Sequence, residues 1–217
     1  NYDSKDRSYK IWKENGLNVP DCKVVWSFSD VKYMLDKHEK ICLRINNEAG
    51  GVYLNIIDKS IGESDLVKIY NDLVMACKRQ VEGVDYRAQL HGNARGPRLD
   101  TKIIAVEFLK LPKVKHLHRV IVVGNEVTSG YSVAAEDDNI HIRNQRFDNI
   151  EELISANIRL GELCNSKSFC DDMVKAVSSL GIQIGAVEFF EIDGKCYLIE
   201  LNSTWNGTGG FTFYDDR

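Results

Sequence analysis

Apolar residues recur with a period of two in some stretches of the chain and near 3.6 in others, and the two kinds of stretch are interleaved. A helix is predicted over Ser4–Glu14, with Ser4 as N-cap and Gly16 just past its end. Pro20 keeps Val19 out of helical angles, so the chain leaves this helix extended. A strand over Val24–Phe28 and a helix over Ser29–His38 follow, the helix with Val31, Met34 and Leu35 on one face. Two strands, Ile41–Ile45 and Val52–Ile57, flank a polar loop, and Asp65–Arg79 carries Leu66, Ile69, Leu73 and Ala76 at helical spacing. Glu82–Thr101 has little periodicity and contains Gly83, Gly92, Gly96 and Pro97. Its length points to a mobile functional loop or an extra strand pair. Strands are predicted over Ile103–Phe108, Arg119–Val123 and Glu126–Val133, and helices over Asp148–Leu163 and Ser168–Leu180. A hairpin, Ile184–Ile192 and Cys196–Asn202, closes the pattern around Asp193-Gly194. The class is α+β in two subdomains, residues 1–102 with the leading helix and connector, and residues 103–217.

With 217 residues the chain is long enough for a real core, and its net charge of −4 gives no electrostatic case for nucleic acid. No apolar run approaches a membrane span and no secretory signal is present, which predicts a cytoplasmic protein without membrane attachment. Six scattered cysteines without a CxxC pair read as free thiols in a reducing compartment. His91, His116, His118 and His141 lack metal-ligand spacing and read as surface residues in loops. The chain begins at Asn1 rather than Met, which reads as a fragment or a trimmed chain.

The candidate chemistry lies where carboxylates interrupt apolar strands. Glu188, Glu200 and Asn202 fall inside the closing hairpin. A charge inside a packed strand is costly unless it is paired or holds a metal, and two carboxylates with an amide oxygen suit Mg²⁺. The alternative is a solvated sheet face with ordinary surface acids. In the loop after Arg44, the small residues Ala49, Gly50 and Gly51 allow backbone N–H groups near Asn46 to approach phosphate oxygens, or simply form a hairpin turn.

The hairpin with Glu188 followed by Glu200-Leu201-Asn202 resembles the ATP-grasp superfamily, whose carboxylate–amine ligases include D-alanine–D-alanine ligase, glutathione synthetase and the ribosomal-protein glutamate ligases. The resemblance runs in order along nearly the whole chain. Lys5, eleven residues before Gly16, resembles a phosphate-contacting lysine at a helix start. Arg44 stands where relatives carry Lys, before the glycine-rich loop that closes over the triphosphate. Glu107, Phe108 and Leu109 resemble the adenine hinge. Arg119 matches the glutamate-ligase branch, although Leu117 replaces an Asp frequent there, and Ala186 replaces a basic residue. Arg143 or Arg146 would serve the phosphate or acyl phosphate.

The resemblance implies an ATP-dependent ligase that joins a small-molecule or peptide carboxylate to an amine, or to a thiol, through an acyl phosphate. It implies ATP and Mg²⁺ as cofactors, with the nucleotide gripped between the two subdomains. A homodimer is compatible with it, and the α/β domain that precedes Lys5 in relatives is missing from this chain. A kinase on the same fold and a non-catalytic ATP-binding module remain open. The loop Asn46–Gly51 and part of Glu82–Thr101 are expected to be mobile without nucleotide.

Side-chain alternation makes the hairpin a test of this reading. A two-residue Asp193-Gly194 turn with an unbroken ladder would set Glu188 opposite Ile199, facing away from Glu200 and Asn202. Convergence of the three requires a three-residue loop with Gly194 left-handed, or a bulge elsewhere that restores parity.

Overall fold

The computed structural model describes residues 4–48, 51–83, 98–138, 140 and 150–203. The chain divides into two compact units, one of Asn1–Pro20 with Lys110–Arg217 and one of Asp21–Leu109. This differs from the division expected at residue 102. The strand Ile103–Glu107 enters the middle of the sheet built by the preceding residues, and the leading helix packs with the C-terminal elements.

In the unit Asp21–Leu109, β1 (Cys22–Val25), α2 (Phe28–Lys37), β2 (Lys40–Ile45), β3 (Asn55–Asp58), α3 (Glu63–Glu82) and β4 (Ile103–Glu107) form an antiparallel sheet of order β1-β4-β2-β3 with two helices. Strand β2 alternates cleanly, burying Ile41, Leu43 and Ile45. These pack with Val31, Met34 and Leu35 of α2 and with Leu66, Leu73 and Ala76 of α3. The Asp30 carboxylate accepts from the backbone N–H of Trp26 and Ser27, which fixes the start of α2 at Phe28. Phe28 is therefore helical, not the end of a strand.

A polar clamp closes one end of this core. Glu48 is buried, and its carboxylate accepts from Gln80 of α3 and from Arg98 at 2.7 Å. Arg98 also donates to the Asn47 carbonyl at 2.9 Å. Asn46 is fully buried; its amide donates to the Asp100 carbonyl at 3.1 Å and its oxygen accepts from the Lys102 N–H at 2.9 Å.

The other unit contains α1 (Lys5–Glu14), β5 (Lys115–Val123), β6 (Glu126–Ala135), α4 (Ile150–Cys164), α5 (Lys167–Ser178), β7 (Ile184–Ile192) and β8 (Lys195–Asn202). Its strands form an antiparallel sheet of order β6-β5-β7-β8. One face packs Val120, Val187, Phe189 and Leu198 with Ala156 and Leu160 of α4 and Phe169 and Met173 of α5. Trp12 of α1 is fully buried and donates from its indole N–H to the Ala176 carbonyl at 2.7 Å. At the β6 edge, the Asn157 side chain accepts from the Ser132 N–H at 3.0 Å and donates to the Ser132 carbonyl at 3.3 Å.

His116 and His118 lie on β5 rather than in loops, and His118 is buried, which corrects its reading as a surface residue. Its ring stacks on Phe189 and its Nδ1 lies 2.7 Å from Ser132 Oγ. Ser132 Oγ also lies 3.2 Å from the Ala156 carbonyl, so this hydroxyl links the ring on β5 to the backbone of α4. Burial, and then the charge of neighbouring His116, lower the His118 pKa from 6.5 to about 4.

Two consequences follow for stability. Below pH 6.5 the unfolded chain protonates residue 118 while the folded unit does not until about pH 4, so stability falls as pH drops through that window. The full loss from this group is about 3 kcal/mol, and urea denaturation at pH 7.5 and 4.5 should show a smaller loss for His118→Gln than for wild type. Glu48→Ala removes the buried carboxylate to which Arg98 and Gln80 donate and should cost about 3 kcal/mol in the same denaturation measurement.

Candidate nucleotide and metal site

Ile192 pairs with Lys195, so the β7–β8 hairpin closes on a two-residue turn, with Asp193 at φ 50° and Gly194 at φ 73°. Positive φ at both central residues is the type I′ arrangement, which matches strand twist. The three-residue loop is not formed. Parity is restored by the other route: Phe189 pairs with Leu198 and Glu188 with Glu200, leaving Ile199 as the extra residue of a β-bulge. Ala186 then pairs with Asn202, and Glu188, Glu200 and Asn202 share one face of the sheet.

Neighbouring elements bring basic groups to that face. Arg119 of β5 sits opposite Glu188, and its Nη2 donates to Glu188 Oε1. On its other side Arg119 sits opposite Tyr131 of β6, donating from Nη1 to the phenol at 3.3 Å with the guanidinium 5.9 Å from the ring centre. Its Nε is buried without a hydrogen-bond partner among the described residues. Asn202 donates from Nδ2 to Glu188 Oε1 at 3.2 Å, and Lys5 of α1 reaches Glu200 Oε1 at 3.1 Å. Both members of the Lys5–Glu200 pair are largely withdrawn from solvent, at 6% and 21% side-chain exposure.

The electrostatics follow from burial. Glu188 is 7% exposed. Loss of solvent pushes its carboxyl above the usual range and the charge of Glu200 adds to that, while Arg119 and Lys5 act against it. Burial also works against the Arg119 charge, but the Glu188 carboxylate and the Tyr131 phenol outweigh it and raise its pKa. Two carboxylates held on one face, with an amide oxygen beside them, form a hard-oxygen donor set of the kind Mg²⁺ takes. Among the described residues no group of three or more His, Cys, Asp or Glu is placed to hold a metal.

In the unit Asp21–Leu109 the candidate residues occupy two places. Arg44 pairs with Ile104 and Glu107 with Ile41, which puts them at different levels of the sheet. Arg44 donates from Nη2 to the Glu48 carbonyl at 2.7 Å, and its Nε is buried without a hydrogen-bond partner among the described residues. Asn46, Asn47 and Glu48 are held by the clamp described above, so this end of the loop is anchored to residues 98–102. Gly51 is left-handed at φ 74°. Glu107 accepts from the Asp21 N–H at 3.0 Å and lies 3.7 Å from His38 Nδ1. Phe108 lies under the Lys40 ammonium at 4.5 Å, and Leu109 is buried. Ala49, Gly50, Arg143, Arg146, His91 and His141, with most of the connector, lie outside the described residues.

Tyr131, Glu48 and Arg98 were not singled out in the sequence. Counting back from the Gly124-Asn125 turn would set Gly130 opposite Arg119; Tyr131 takes that place because the β5–β6 ladder shifts register between Ile121 and Val122, which nothing in the sequence marks. Glu48 and Arg98 meet across 50 residues and carry no local mark.

No protein-family profile matches the chain and no curated protein sequence matches it. Solved structures do. The chain is similar to the ATP-grasp ligase PsnB complexed with a minimal precursor, with TM-score 0.57 and 14% identity over 95% of this chain and 55% of that one. It is similar to D-alanine–D-alanine ligase from Bacillus anthracis, with TM-score 0.57 and 14% identity over 93% of this chain and 57% of that one. A third match is a Chryseobacterium gregarium RiPP-associated ATP-grasp ligase in complex with ADP and a leader and core peptide, with TM-score 0.55 and 12% identity over 98% of this chain and 55% of that one. The fold is that of the ATP-grasp ligases, and the chain spans little more than half the length of these structures. Among the described residues no helix is long and apolar enough to cross a membrane.

The turn itself is open to a direct test. Gly194 has space for a Cβ but a left-handed backbone, so Gly194→Ala should destabilise this unit by about 1 kcal/mol through backbone strain alone, measured by thermal or urea unfolding.

Proposed function

We propose that this chain is the nucleotide-binding part of an ATP-dependent ligase that activates a carboxylate as an acyl phosphate and transfers it to an amine or a thiol. The observation that carries this reading is the convergence of Glu188, Glu200 and Asn202 on one sheet face with Lys5 and Arg119. In this reading the Glu188 and Glu200 carboxylates and the Asn202 amide oxygen hold Mg²⁺. Bound there, Mg²⁺ would neutralise charge on the phosphate oxygens.

Lys5 and Arg119 already lie against these acids and supply positive charge for phosphate oxygens. Arg143 and Arg146 are proposed for the same purpose. Arg44 and the loop 46–51 are proposed to contact phosphate, and Glu107, Phe108 and Leu109 to meet adenine, on the resemblance. The acceptor carboxylate oxygen attacks the γ-phosphorus and ADP departs; the amine or thiol then attacks the acyl carbon and phosphate departs. Each step needs positioning and charge stabilisation rather than a protein nucleophile. The acceptor is proposed to be a small molecule or a peptide.

ATP titration with and without Mg²⁺ tests the site. Mg²⁺ should strengthen ATP binding by wild type, and Glu200→Gln should lose most of that gain. Affinity indifferent to Mg²⁺ in both proteins rules out the metal assignment.

A further inference from the structure

The Ile199 bulge sets which face of β8 carries Glu200 and Asn202, and it lies on the outer strand of its sheet. A bulged residue is left out of the ladder, and its backbone groups must find partners elsewhere. Here the partner is a side chain. Tyr9 of α1 donates its hydroxyl to the Ile199 carbonyl at 2.7 Å. The preceding residue is held from the same direction, with the Leu198 N–H donating to the Asn18 carbonyl at 2.9 Å, next to a parallel bridge between Asn18 and Tyr197.

Tyr9 belongs to the buried face of α1 with Lys5, Ser8 and Trp12. Positions four apart lie one turn above each other on a helix, so Lys5 and Tyr9 project from the same stripe. One helix face thus holds the bulge through Tyr9 and reaches the first carboxylate beyond the bulge through Lys5. Trp12, one turn further on, anchors that face to α5 through the Ala176 carbonyl.

We propose that Tyr9 is a positioning residue for the candidate site: its hydroxyl fixes the Ile199 bulge, and through it the placement of Glu200 and Asn202 beside Glu188. The effect on ligand binding rests on the nucleotide reading above; the effect on the hairpin does not.

The test uses the bulge itself. Deleting Ile199 joins Leu198 to Glu200, which keeps Phe189 opposite Leu198 and Glu188 opposite Glu200 in a regular ladder with no bulged carbonyl to satisfy. Four full-length proteins are compared: wild type, Tyr9→Phe, the Ile199 deletion, and the two changes combined. Amide hydrogen exchange over residues 196–202 is measured without ligand, and affinity for Mn²⁺–ADP is measured separately.

Tyr9→Phe should speed exchange in 196–202 and weaken Mn²⁺–ADP binding, each by about fivefold, the scale of one neutral hydrogen bond. In the deletion background the same substitution should change neither. Equal effects in both backgrounds, or no effect in the wild-type background, overturn the proposal. If wild type binds no Mn²⁺–ADP, the nucleotide reading fails and the exchange data still decide the role of Tyr9. Should the deleted chain not fold, exchange in Tyr9→Phe decides alone: a rise confined to 196–202 supports the proposal, and a rise spread along α1, or none, overturns it.

Discussion

Along a β-strand successive side chains point to opposite faces, and this alternation governs the candidate site more strictly than any single contact. Between Glu188 and Glu200 the chain makes a turn, so the number of residues around that turn decides whether the two acids meet. The type I′ turn is favoured by strand twist but gives the wrong count. The structure keeps the favourable turn and corrects the count with one extra residue, Ile199, six positions from Asp193. Turn geometry and site geometry are thereby satisfied in separate places.

Once the acids share a face, burial imposes the next condition. Glu188 is nearly enclosed, and a buried carboxylate beside a second one is unfavourable without positive charge nearby. Arg119 from the adjacent strand and Lys5 from α1 meet that condition from two sides, and Tyr131 holds the far edge of the guanidinium. The polar clamp of the other unit follows the same rule. Glu48 is buried with its carboxylate held by Arg98 and Gln80, and that arrangement ties Asn47 and the Arg44 guanidinium to the same short segment.

Much of this was legible in the order of residues. Ile184–Ile192 marked its strand by an apolar run and its end by Asp193-Gly194, and the observed strand has those bounds. Glu188, a carboxylate inside that run, marked the place of the candidate site. The bulge was not legible as such, because Asp-Gly suits two loop lengths and the hydroxyl that holds Ile199 comes from residue 9. His118 misled because a histidine between Leu117 and Arg119 carries no local mark of burial; its burial comes from α4 and α5, which lie far along the chain. The place of β4 was hidden for a related reason. Ile103–Val106 reads as a buried strand from its apolar run, but nothing local says that it inserts between β1 and β2.

The side chain of Asn157 has a consequence beyond the packing of α4. Strand β6 is an outer strand, and an outer strand offers backbone groups on which the strand of another molecule can grow. The Asn157 amide occupies both outward-facing groups of Ser132, as a neighbouring strand would. The edge is sealed at that point by one side chain of the chain's own helix, a built-in guard against the strand-to-strand accretion that leads to insoluble aggregates.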